Sequence, residues 1–81
     1  MPNQFMSMVE VTRVNGIFID IRCWDFNDQI LSSVFAGSEI HPPPEEGDIY
    51  LMGLELDSNL WKVSYCSERY ETVEFDENLE H

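Results

Sequence analysis

Carboxylates dominate the residues that can do chemistry in this chain: sixteen Asp and Glu stand against four Lys and Arg, for a formal charge of −12. Glu45, Glu46 and Asp48 crowd one short stretch and can gather a hard cation such as Ca²⁺ or Mg²⁺. Their spacing lacks the Asp-x-Asp-x-Asp-Gly order of a calcium loop, so a solvated acidic loop is expected and no metal site is assigned. General acid–base catalysis needs two groups whose surroundings push their pKa values apart, and most acids here fall in turns or at outward strand positions. His41 sits beside Pro42, Pro43 and Pro44 with no cysteine or second histidine near it in sequence, which predicts a surface imidazole. A Ser or Cys nucleophile therefore has no evident base. Gly16, Gly37, Gly47 and Gly53 are scattered and form no phosphate-cradling loop. No catalytic residue and no cofactor is expected, and the chain reads as a non-enzyme.

Charge then narrows the partner. Arg13, Arg22, Lys62 and Arg69 are the whole supply of cations, whereas a duplex-binding surface needs several on one face to displace counterions from phosphate. Duplex nucleic acid is disfavoured, anionic membranes are repelled, and a basic partner protein is expected, steered by a field that weakens with salt. Glu68, Glu71, Glu74, Asp76 and Glu77 add to that field near the C-terminus, and on an exposed edge they would imitate an anionic polymer. The segment 16–24 alternates cleanly. Ile17, Ile19, Ile21 and Cys23 share one face, expected in the core, while Phe18, Asp20, Arg22 and Trp24 share the other. Two aromatics and a guanidinium together are hot-spot chemistry, which Phe26 in the next turn would extend. The expected partner-binding set is Phe18, Arg22 and Trp24 with Glu45, Glu46 and Asp48. Two other readings stay open: these aromatics hold a weakly bound single-stranded nucleic acid or small ligand by stacking, or Phe18 and Trp24 are simply packed under a neighbouring segment.

The elements that must position these residues are mostly extended. Residues 5–14 are rich in β-branched side chains with a partial period of two, and Asn15-Gly16 follows as a type I′ hairpin signal. Residues 28–36 can be written as a short helix capped by Asn27, with Ile30, Leu31, Val34 and Phe35 as its stripe, or as a strand. The strand is expected, because Ile, Val, Phe and two serines are mediocre helix formers. Residues 37–47 form a Pro-rich surface loop. Residues 48–56 resume a strand, with Gly53 marking a bulge or a barrel bend. After the turn Asp57-Ser58-Asn59, residues 60–66 alternate Trp61, Val63 and Tyr65 against Leu60, Lys62 and Ser64, and Trp61 is expected to be buried. A last strand is expected over 70–75.

Eighty-one residues make one core. Five or six short strands in that length predict an all-β domain, a small antiparallel barrel or strongly curled sheet, SH3-like or OB-like. Leu79-Glu80-His81 reads as the start of a cloned polyhistidine tail, which leaves 1–78 as the native domain. Cys23 and Cys66 are too few for a disulfide framework and each ends an apolar run, so two buried reduced thiols are expected. No apolar run approaches the roughly 20 residues of a membrane helix. With no secretory or transit pattern at the first residues, a cytoplasmic setting is expected.

Overall fold

The chain's β-branched runs do extend, and they close on themselves. In the computed structural model, which describes residues 3–37, 40 and 42–70, five strands follow in order: β1 (Gln4–Asn15), β2 (Phe18–Cys23), β3 (Gln29–Phe35), β4 (Ile49–Asp57) and β5 (Leu60–Cys66). A single 3₁₀ turn, Trp24–Phe26, joins β2 to β3. The strands form a closed barrel in the order β1-β2-β3-β5-β4, with β4 pairing back onto β1. The molecule is therefore an all-β barrel of the small SH3/OB-like kind. An up-and-down meander would place β4 next to β3. Instead β3 meets β5 in parallel, among the described residues at the single position Phe35↔Lys62, a Greek-key order of the sort found in five-stranded OB barrels.

β1 is long because it serves two neighbours. Its first half pairs with β4 from Gln4↔Glu55 to Glu10↔Ile49, and its second half pairs with β2 from Val9↔Cys23 to Asn15↔Phe18. Odd positions Phe5, Val9 and Val11 point inward, where they meet Ile19, Ile21, Cys23, Leu31, Val34, Tyr50, Met52, Leu54 and Val63. Phe5 seals one mouth of the barrel: its ring lies edge-on to Phe26 at 4.6 Å and to Trp61 at 5.4 Å. Phe26 is thus turned inward rather than extending an outer aromatic face, and Trp61 is half-buried at the rim rather than fully enclosed.

Two local departures from simple alternation matter first. The first hairpin turns on Gly16-Ile17 and not on Asn15-Gly16, since Asn15 still pairs with Phe18. Gly16 alone takes positive φ, at 63°, the pattern of a hairpin with Gly at its first central position. Ile17 is consequently a turn residue, 55% exposed, and not part of the core. Of the two-residue hairpin turns, the one in which both central residues have positive φ is Ser58-Asn59, at 52° and 66°. In the second hairpin the register shifts between Gly53 and Leu54, so that Tyr65 faces Gly53 while Val63 faces Leu54. Ser64 is the extra residue, and it rolls Tyr65 to the outside, away from the inward set with Val63.

The ambiguous segment 28–36 is a strand, with Ile19↔Val34 and Ile21↔Leu31 registering it against β2. Asp20 lies opposite both Ser32 and Ser33, and its Oδ1 accepts the Ser33 N–H at 2.9 Å, holding Ser33 in a left-handed kink at φ 55°. Ile40 is buried and anchors the Pro-rich loop. The expected strand over 70–75 is seen only at Tyr70, which bridges Ile49; residues 71–75 lie outside the described residues, as does His41.

Two substitutions check this account by urea unfolding. Phe5→Ala empties the barrel mouth and is expected to cost about 3–5 kcal/mol, seen as a lower midpoint at unchanged slope. Gly16→Ala meets no atom within 4 Å, so its expected loss of about 1–2 kcal/mol comes from the left-handed backbone alone.

Candidate interaction surface

Three of the four cations are held by carboxylates. Arg22 Nη1 lies 3.5 Å from Glu10 Oε1 across the β1–β2 ladder. Lys62 Nζ lies 3.2 Å from Asp57 and 3.6 Å from Glu55, and Arg69 Nη1 lies 3.7 Å from Asp48. Among the described residues only Arg13 makes no ion pair. These surface pairs add little to stability. Their effect on recognition is larger, because they cancel most of the positive charge locally and leave Glu45, Glu46, Asp28 and Glu68 exposed with no cation against them.

The six sequence-selected residues do not form one cluster. Phe18, at the turn end of β2, is half-buried with its ring 5.8 Å from Phe35. Arg22 stands at the other end of β2, tied to Glu10. Trp24, the first residue of the 3₁₀ turn, is 41% exposed. The acidic loop approaches Arg22 from across β1: Gly47 N–H donates to Val11 O at 2.7 Å and Val11 N–H donates to Asp48 O at 2.8 Å. Val11 in turn pairs with Ile21, next to Arg22. Arg22 and the loop thus lie on opposite sides of one strand, about 10 Å apart at strand spacing.

Within that loop the acids have different tasks. Asp48 is mostly enclosed: its Oδ2 accepts from Glu45 N–H at 2.9 Å and from Tyr50 O–H at 3.2 Å, and its other oxygen faces Arg69. It staples the loop. Glu45 and Glu46 are left as the loop's accessible carboxylates. Among the described residues no three His, Cys, Asp or Glu side chains gather closely enough to hold a metal ion.

Sequence reading missed the outer face of β1, β4 and β5. Paired residues share a side, and on the outside run the rows Met6–Gly53–Tyr65, Met8–Leu51 and Glu10–Ile49–Tyr70. Met6 and Tyr65 are each 50% exposed and Tyr70 is 47% exposed. Two signals could have found this face. The run 49–54 is apolar at every position but for its glycine, as in a strand covered on both faces, and β1 reads Met6-Ser7-Met8 with the serine turned inward. Ser7 is completely buried; its hydroxyl donates to Met8 O at 2.8 Å and accepts the Asp25 N–H at 3.2 Å. Asp25 Oδ2 accepts the Met8 N–H at 3.1 Å, which pins the Trp24 turn beside Met8.

Two buried acids titrate late. Burial, reinforced by the Asp25 charge, pushes the Cys23 thiol from 9.0 up to about 11. Burial, then the charge of Asp48, pushes the Tyr50 hydroxyl from 10.0 up to about 12. Both groups are neutral when protonated and hold the proton more tightly folded than unfolded, so the stability they contribute is whole below pH 9 and is lost as pH rises towards 12. Unfolding free energy is expected to fall across that window, and Cys23→Ala with Tyr50→Phe should flatten the fall. Compared with family models, with curated proteins and with solved structures, the chain has no match.

Proposed function

We propose that this protein is a non-enzymatic, acidic protein-interaction domain that engages a basic partner protein. The observation that supports this most directly is the neutralisation of Arg22, Lys62 and Arg69 by their own carboxylates, against a surplus of exposed acid. Such a surface draws basic partners by long-range steering and repels polyanions. Among the described residues no helix is long and apolar enough to cross a membrane. A reducing, cytoplasmic setting suits Cys23, a buried thiol outside any disulfide.

The other reading, stacking of single-stranded nucleic acid or a small ligand on the β2 aromatics, has less support. Phe18 is engaged with Phe35, and Arg22, the guanidinium that would meet a phosphate, already faces Glu10.

Affinity capture from a native lysate with a salt gradient separates the two. Basic proteins should be retained at low salt, released steeply as salt rises, and lost when Glu45→Lys and Glu46→Lys are combined. Trp24→Ala should change the salt slope little. Recovery of nucleic acid alone, abolished by nuclease, would replace this reading with the stacking one.

A further inference from the structure

The outer face of β1–β4–β5 is out of keeping with the rest of a highly charged molecule. Gly53 lets its neighbours close over the strand: a Cβ there would come within 2.9 Å of Met6 Sδ and 3.1 Å of Tyr65 Cβ. Met6 and Tyr65 therefore both close over Gly53, with Ser64 Oγ also 3.1 Å from that position, and the mainly apolar face continues through Met8 and Leu51. Trp24 extends it sideways, since it follows the Val9↔Cys23 pair and its turn is bonded to Met8. Contiguous exposed apolar surface of this kind marks a contact site, and methionines adapt it to irregular partners.

Carboxylates border this face at both ends. The Glu45-Glu46 loop lies beyond the Ile49 row, in which Glu10 already faces Arg22, and Glu55 and Asp57 lie beyond Gly53, where Lys62 offsets one of their two charges. Counting from Asp48 to Glu55, the two borders stand about 23 Å apart along β4 at strand rise. Sign decides the occupant. The chain's own continuation past Tyr70 carries Glu71, Glu74, Asp76 and Glu77, acids that would meet acids. A second copy would set its own acidic borders against these and bring together two chains of −12 each. Building on the basic-partner reading above, we propose that this face is the docking site itself, and that its occupant is a partner segment with large apolar side chains at its centre and Lys or Arg at both ends. The apolar centre covers Met6, Met8, Leu51 and Tyr65, and the flanking bases reach the two carboxylate borders.

The test uses the full chain, ¹⁵N-labelled, and two synthetic peptides. One has a Leu-Phe-Leu-Met centre between Lys-Arg-Lys ends, and the other has Gln at the four central positions. The apolar peptide should bind and shift the amides of Met6, Leu51, Gly53 and Tyr65. Met6→Gln combined with Tyr65→Gln should weaken it by about tenfold or more, equal to about 1.4 kcal/mol, with the unfolding midpoint unchanged. If the double variant does not fold, Tyr65→Gln alone makes the comparison. Equal binding of both peptides with shifts confined to the Glu45-Glu46 loop overturns this site and leaves the acidic reading standing. Binding of neither peptide overturns both. Shifts on the same amides that grow with protein concentration and no peptide assign the face to a second copy and overturn the proposed occupant.

Discussion

The β1–β4 pairing is the constraint on which the rest of this barrel depends. Without it the strands would form an open sheet with one wet face and two unpaired edges, a poor solution for a chain this short. Pairing Gln4–Glu10 with Glu55–Ile49 closes the ring, and it also decides which side chains share each face. Inside, Phe5, Val9 and Val11 are delivered to a single core. Outside, the same register lines up Met6 with Gly53 and Met8 with Leu51. Core and outer surface are set by one ladder, because side chains alternate with period two and a slip by one residue would exchange them.

That coupling explains what could be read from residues and what could not. The five strands, the Gly53 irregularity and most of the core followed from alternation and β-branching, which are local properties. Ile17 was misplaced because Asn-Gly signals a turn without saying which two residues occupy its centre; the shift by one residue took Ile17 out of the strand. Tyr65 was misplaced because the extra residue Ser64 carries no compositional mark, and a bulge inverts the faces of everything beyond it. The strand at 29–35 competed with a helix in local propensity, and its pairing with β2 settled the matter.

The candidate surface was legible in part for the same reason. Net charge comes directly from composition, so the acidic character and the scarcity of cations were available at once. Where the charges cancel was not: Glu10 reaches Arg22 and Glu55 reaches Lys62 only through ladder register. In the sequence Asp48 stands out only by its charge, yet its carboxylate serves the loop's own architecture. Phe18 and Trp24 looked alike by alternation on one strand, and tertiary packing separated them, one against Phe35 and the other in a solvent-facing turn.

The junction of β3 with β5 has a consequence for how the ring comes together and apart. Among the described residues every other seam holds several rungs, whereas this one has Phe35↔Lys62 alone. Amide protons along it are the least shielded by ladder bonds, so breathing motions start there at the smallest energetic cost. During folding, the β1–β2–β3 meander and the β4–β5 hairpin can each form from near neighbours in sequence, leaving this parallel contact between distant segments to be made late. The barrel behaves as a clasp: two locally formed halves joined by a strong hinge along β1–β4 and a light catch opposite.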